Sequence, residues 1–188
     1  MSHAIPYAFV RCMAFQSQRE LIIPFREYSM PVETASAELS GAWLGINHVS
    51  LATPNLQATV AFYRDVLEMR VVFEAPANPH HGPHAMISPG GPGLGFHFFE
   101  VPDTQISRLP GVVPEKPGQF LPGALQHIAV TLADDGAALA LRDRLLARHI
   151  PVTPIWEPGR FAPGVRIFLF PDPSGVLLKA TWLRTENA

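Results

Sequence analysis

Residues 45–54 decide the fold and read Gly-Ile-Asn-His-Val-Ser-Leu-Ala-Thr-Pro. Alternation of side chains predicts a strand over residues 43–52, whose one histidine is His48. Ile46 and Ser50 share the face of His48. Both faces are largely apolar, so we expect this strand to be covered on both sides.

A helix is predicted directly after this strand. Pro54 has a fixed backbone φ angle that suits the first turn of a helix. Thr53 or Asn55 is available to cap the free backbone amides. Apolar residues then recur at helical spacing through residues 56–67. Three further strands are predicted at residues 69–73, 85–88 and 94–101, which gives the order β-α-β-β-β.

The same order returns after a proline-rich stretch. His127 occupies the place of His48 in a second first strand, about eighty residues later, a spacing typical of a repeated supersecondary unit. A helix follows from Asp134 or Asp135, and three strands are predicted at residues 152–156, 165–170 and 176–183. The predicted organisation is an N-terminal extension (1–42), a first module (43–102), a proline-rich linker (103–123) and a second module (124–184).

The last strands of the two modules also correspond. His97 lies four residues after Gly93, and Lys179 lies four residues after Gly175. Because the modules are equivalent, we expect His48, the two last-strand residues and the histidine of the second first strand to converge on a shared concavity.

Composition excludes several classes of partner. A net charge of −2 and a pI near 6.4 predict no nucleic-acid partner and no membrane partner. Cys12 is the one cysteine, so no internal disulfide and no cysteine-based metal site is expected, and a cytoplasmic location fits. Met30 before Pro31 is also compatible with a start at that methionine.

These features resemble the vicinal oxygen chelate superfamily, which includes glyoxalase I, extradiol dioxygenases, and fosfomycin and bleomycin resistance proteins. The matching residues are 47–49, 62–67 and 170–175, and the resemblance covers residues 43–184. It implies an α+β fold in which two tandem βαβββ modules form an open curved sheet, or half-barrel, around a divalent metal ion.

The resemblance also implies a ligand set. His48, His97 and His127 match ligand positions for iron, zinc, manganese or nickel. Lys179 falls where the family usually has a glutamate, and an ammonium group repels a metal ion. A second departure is Glu68, where the helix-ending motif commonly has glycine.

Two functions follow from this pattern. The first is a metal-dependent enzyme, dioxygenase-like or a glyoxalase-like lyase or isomerase, in which Lys179 is a catalytic base or anchors a small oxygenated substrate. The second is a metal-independent protein of the bleomycin-resistance type, which binds or sequesters a small molecule and uses the lysine to hold an anionic group. A homodimer is compatible with open sheets, although duplication also allows one chain to complete the cup.

Ordinary structural explanations exist for each of these residues. A single histidine is more often a hydrogen-bonded structural residue than a ligand, and a lysine readily turns to solvent. His80, His81 and His84 look like a surface metal tract, but a solvated loop explains them better. Glu100 lies on the opposite strand face from His97, so we do not assign it to the site.

Substrate contacts are expected from aromatic and basic residues. Phe99, Trp156 and Phe161 are candidates for an apolar pocket wall. Arg160 and Arg166 are candidates for clamping a carboxylate, with surface ion pairing as the alternative.

Overall fold

The computed structural model describes residues 45–104, 112–116, 119, 121, 123–159 and 162–185. All of them belong to one compact unit. The predicted N-terminal extension lies outside the described residues. None of the described helices is long and apolar enough to cross a membrane.

The first module has the predicted β-α-β-β-β order. Its strands are β1 (His48–Thr53), β2 (Arg70–Ala75), β3 (His84–Ser88) and β4 (Gly95–Glu100), and helix α1 (Leu56–Ala61) continues as a π-helical turn (Phe62–Val66). The sheet order is β1-β4-β3-β2, with β1 parallel to β4 and the other pairs antiparallel. Asn55 caps α1, because its side chain accepts a hydrogen bond from the Ala58 amide. Glu100 also binds this helix end, accepting the Leu56 amide at 2.9 Å.

The second module repeats this plan with one strand fewer. It contains β5 (Ile128–Thr131), α2 (Asp135–Ala147), β6 (Val165–Pro171) and β7 (Leu177–Leu183), in the sheet order β5-β7-β6. The strand predicted at 152–156 is reduced to a single bridge between Trp156 and Ile167. Pro151 precedes this segment and Pro154 lies within it, and proline has no amide hydrogen to donate to a continuous ladder. The α+β prediction is nevertheless confirmed, and the sheets are open.

Both helices end on a residue in the left-handed backbone region. Glu68 has a φ of 57° after the first helix, and His149 has a φ of 58° after the second. Glycine normally occupies such positions because it has no Cβ to clash with the backbone. Glu68, which stands where the family motif commonly has glycine, therefore strains the backbone at this turn.

Glu68→Gly is expected to stabilise the protein by about 0.5–1 kcal/mol, because the strain of a left-handed L-residue exceeds the entropy cost of glycine. Its ion pair with Arg144 spans 3.0 Å, but the Glu68 side chain is 65% exposed, so its loss costs little. Glu68→Gln, which removes only the charge, is the matched control. Urea unfolding measures both variants. Equal stability of the two would contradict strain at this turn.

The larger of two hydrophobic cores combines one face of each sheet with both helices. Its buried members from the first module include Tyr63, Phe96 and Phe98, and those from the second include Leu145 and Phe168. Since successive strand residues face opposite ways, the other face of each sheet points away from this core. The expectation that the first strand is covered on both sides is therefore wrong: His48 and Ser50, on its outer face, are exposed.

Two of the three stretches that carry the family resemblance, residues 62–67 and 170–175, meet where the modules contact each other. Tyr63 donates a hydrogen bond to Asp172 Oδ2 at 3.2 Å, and the Thr53 and Ser174 hydroxyls are 2.9 Å apart. Burial raises the pKa of the Asp172 carboxyl to about 6, although the Val176 and Ser174 amides donate hydrogen bonds to it. Burial, followed by the charge of Asp172, raises the pKa of Tyr63. These residues connect the two modules by hydrogen bonds between buried side chains.

Candidate functional site

A cavity of about 480 Å³ lies on the outer face of the second sheet. This volume is in the range of sites for small organic molecules. Its floor follows from strand alternation, because Ile167 and Leu169 on β6 and Leu177 and Lys179 on β7 share this face. Trp156 forms part of the wall. The remaining lining residues are Pro114, Lys116, Gln119, Leu121, Gln126, His127, Glu157 and Pro158.

The predicted linker forms the other wall of this cavity. Gln126 holds Leu121 by two hydrogen bonds: its Oε1 accepts the Leu121 amide at 3.0 Å, and its Nε2 donates to the Leu121 carbonyl at 3.0 Å. Gln119 accepts the Glu115 amide at 2.8 Å. Val113 and Leu121 pack against the apolar floor. The described part of the linker is thus a folded wall, and not only a connector between modules.

The electrostatic character of the cavity is set by two lysines and one carboxylate. Lys116 comes from the linker and Lys179 from β7, and among the described residues neither forms an ion pair. Glu157 is bound by Arg166, with 2.9 Å between Nε and Oε1. An anionic ligand group therefore has two available cationic partners.

Arg166, a predicted substrate clamp, is engaged in a surface network. Its guanidinium contacts Glu157 and Asp135, each at 2.9 Å, and hydrogen bonds to Glu157 and then Asp135 raise its pKa. Asp135 also accepts the Trp182 indole N–H at 2.7 Å. That bond, together with those from Thr185 and Arg166, lowers the pKa of Asp135 to about 2. The alternative of surface pairing therefore describes Arg166 better than substrate binding.

His48 and His97 lie on the outer face of the first sheet. Their rings are 5.8 Å apart between centroids and close to perpendicular, at 68°. His97 Nε2 is buried and has no hydrogen-bond partner among the described residues. Burial, followed by the neighbouring His84, His48 and His81, lowers the pKa of His97. Phe99 belongs to this face, with its ring 4.2 Å from that of His97, and not to the cavity.

The structure therefore divides the predicted site into two pairs. His48 and His97 lie on the outer face of the first sheet, whereas His127 and Lys179 line the cavity on the second. In the described part of the chain, no three histidine, cysteine or acidic side chains are placed to hold a metal ion. The described residues of one chain thus do not form the ligand set that the resemblance implies. Arg160 and Phe161 lie outside the described residues.

Sequence reasoning missed most of the cavity. Lys116, Gln119 and Leu121 belong to a stretch that was interpreted as a connector, and no periodic pattern marks them. Side-chain alternation, followed from Lys179 across the two paired strands, could have identified Ile167, Leu169 and Leu177 as cavity residues. His84 was assigned to a loop, but it begins β3 and reaches the first-sheet histidines.

Comparisons with known proteins agree with this architecture. The chain is similar to the glyoxylase/bleomycin resistance protein/dioxygenase domain from Frankia sp. EAN1pec, with 19% identity, 78% of this chain and 96% of that chain covered, and a TM-score of 0.55. It is also similar to an antibiotic binding protein from Streptomyces sp. CB03234, with 19% identity, 76% and 98% coverage, and a TM-score of 0.52. An integron cassette protein from the mobile metagenome of the Halifax Harbour sewage outfall shares 16% identity, with 75% and 100% coverage and a TM-score of 0.52.

At such identities, these likenesses establish the fold alone. Comparison with curated protein sequences finds no match. The family model for the Glyoxalase/Bleomycin resistance protein/Dioxygenase superfamily, however, matches residues 45–179, which is most of the chain. The chain therefore belongs to the glyoxalase/bleomycin resistance protein/dioxygenase superfamily.

Proposed function

We propose that the second module binds a small, largely apolar molecule that carries an anionic group, and that it does so without a metal ion. The observation that carries this proposal is the placement of Lys179 beside the apolar floor of a cavity of about 480 Å³. Ile167, Leu169 and Leu177 would remove an apolar body from water. The ammonium group would bind the anionic end in surroundings where such a bond is stronger than in water.

Trp156 gives the ligand a flat surface and gives the experiment a reporter. It is half-buried at the cavity wall, held by a pair of backbone hydrogen bonds to Ile167 of 2.8 and 2.9 Å. An aromatic ligand would stack against such a ring or meet its edge. The antibiotic binding protein of the same fold is compatible with this function, but the argument rests on the cavity residues.

The test is a titration with anilinonaphthalene sulfonate, which combines an aromatic body with an anionic group. We expect saturable binding at micromolar concentrations in the presence of EDTA, with energy transfer from Trp156 to the probe. Trp156→Phe should lower the energy transfer while leaving an aromatic wall and probe binding in place. Absence of saturable binding to the folded protein would refute the proposal.

The metal-dependent enzyme is a second candidate, and the buried, unpartnered Nε2 of His97 favours it. Within one chain, His48 and His97 lie on a different sheet from His127. The metal-dependent function would therefore require a homodimer in which the first sheet of one copy faces the cavity of the other. The same titration discriminates the two candidates. Probe binding that is lost in EDTA and restored by a divalent ion would favour the metal-dependent function.

A further inference from the structure

Both lysines of the chain line the same cavity. Lys116 and Lys179 are the two lysines among 14 basic residues, and all the others are arginines. The described lining of the cavity contains both lysines and no arginine. A lysine ammonium is a compact charge with three hydrogen-bond donors, whereas an arginine guanidinium is a planar fork. Every lysine ammonium group that the chain possesses is therefore directed to one small-molecule cavity.

The two ammonium groups come from different elements and differ in exposure. Lys179 is half-buried on β7, where the strand register pairs it with Leu169 of the apolar floor. Lys116 is exposed on the linker wall. A cavity of about 480 Å³ has a breadth on the order of 10 Å, which is the Debye length at 0.1 M salt. Both charges therefore act on a single bound ligand.

Gln119 fixes the backbone that carries Lys116. The Gln119 amide donates a hydrogen bond to the Lys116 carbonyl at 3.3 Å, and the Gln119 side chain accepts the Glu115 amide at 2.8 Å. Pro114, two residues before Lys116, is buried and lines the cavity. Because this turn is already folded, a ligand that binds Lys116 has to order only the lysine side chain.

The carboxylate in the described lining of the cavity neutralises neither lysine. Glu157 is bound by Arg166 at 2.9 Å, and the same guanidinium is held by Asp135, also at 2.9 Å. No ion pair among the described residues joins Glu157 to a lysine. Two ammonium groups that face one cavity repel each other, and a ligand with one anionic group would leave one of them without a counter-charge.

We propose that the ligand of this cavity carries two anionic groups on one apolar body, as an aromatic dicarboxylate does. This inference rests on the proposed function and names its ligand class. One anionic group would meet Lys179 at the apolar floor, and the other would meet Lys116 at the exposed wall. The second contact contributes less to affinity than the first, because water and salt screen an exposed ion pair.

Competition against bound anilinonaphthalene sulfonate in the presence of EDTA tests the second anionic contact. The competitors are 2-naphthalenesulfonate and 2,6-naphthalenedisulfonate, which share one aromatic body and differ by one anionic group. We expect the disulfonate to bind about 5-fold more tightly, which is the upper end of what an exposed ion pair contributes. Lys116→Met should reduce this preference to less than 2-fold. Arg70→Met, which removes an exposed positive charge outside the described lining, is the matched control and should keep the preference.

Acetylation of the lysines measures the same contacts without any substitution. Because the chain has two lysines, mass spectrometry after brief treatment with acetic anhydride reports on each ammonium group separately. Saturating disulfonate should slow the acetylation of both Lys116 and Lys179. The monosulfonate should slow the acetylation of Lys179 more than that of Lys116. Acetylation of Lys116 that is equally fast with and without the disulfonate would contradict the second contact.

The competition experiment separates failure of this inference from failure of the proposed function. If anilinonaphthalene sulfonate itself does not bind, the proposed function fails and this inference fails with it. If that probe binds but the disulfonate binds no more tightly than the monosulfonate, only this inference is overturned. A preference for the disulfonate that persists unchanged in Lys116→Met would also overturn it, because the second anionic group would then be recognised elsewhere.

Discussion

Lys179→Met is expected to weaken the binding of anilinonaphthalene sulfonate by roughly 10–100-fold. A hydrogen bond to a charged group contributes about 1.5–3 kcal/mol, which corresponds to that range of affinity. Methionine keeps most of the length and apolar stem of the lysine, so the cavity shape should change little. Lys179→Arg, which keeps the positive charge, should retain part of the affinity. Fluorescence titration in the presence of EDTA measures the probe affinity of the wild type, Lys179→Met and Lys179→Arg.

An uncharged probe provides the control for Lys179. N-phenyl-naphthylamine has the same aromatic body without the sulfonate, and its affinity should be the same in the wild type and in Lys179→Met. Lys116 lines the cavity from the linker, and Lys116→Met should have a smaller effect if Lys179 is the main anchor. Equal losses for the charged and uncharged probes would show that Lys179→Met damages the cavity and that the lysine does not recognise the anion.

Asp172→Ala is expected to destabilise the protein by roughly 3–5 kcal/mol, because it leaves several buried donors without an acceptor. The carboxyl accepts the Ser174 and Val176 amides, each at 2.8 Å, and the Tyr63 hydroxyl at 3.2 Å. Tyr63 lies in the first module, so the loss also loosens the junction between the modules. Asp172→Asn keeps one acceptor oxygen and should be the milder change. Chemical unfolding at neutral pH gives both values.

The pH dependence of stability provides a second measurement on Asp172. Its pKa is raised from 3.8 to about 6 in the folded protein, so the folded state holds this proton more tightly than the unfolded state. Its contribution is fully present below about pH 4 and is lost as the pH rises through about 6. Two pKa units correspond to a change on the order of 3 kcal/mol. The stability of Asp172→Asn should not change with pH in this range. If its stability changed with pH as in the wild type, the pH dependence would belong to another group.

Much of the fold was predictable because it depends on local patterns. Side-chain alternation predicted a strand over residues 43–52, and β1 is found at His48–Thr53. The repeat around His127 predicted a second module, and a second sheet with the order β5-β7-β6 is found in that part of the chain. The strand predicted at 152–156 does not form, because Pro151 and Pro154 lack the backbone N–H groups that a continuous strand pairing needs. Glu68 was recognised as a departure, and its left-handed φ explains why glycine is usual there.

The candidate site was predictable only in part. Lys179, His127 and Trp156 were expected to contact substrate or metal, and all three line one cavity. Their grouping with His48 and His97 was an inference from repeat equivalence. Equivalent residues occupy equivalent places within each module, but the relative orientation of the modules depends on the core between them.

The sequence by itself determined the strand and helix periods, the duplication and the chemical nature of the four equivalent positions. These are properties of short segments, which side-chain alternation and turn residues specify locally. Only the tertiary structure decided that the sheets share a core on their inner faces, which directs His48 and Lys179 to separate outer faces. Tyr63, Phe98 and Phe168 are buried in one core, which brings distant segments of the chain into contact. No local pattern specifies such a contact, and it determines which side chains can meet.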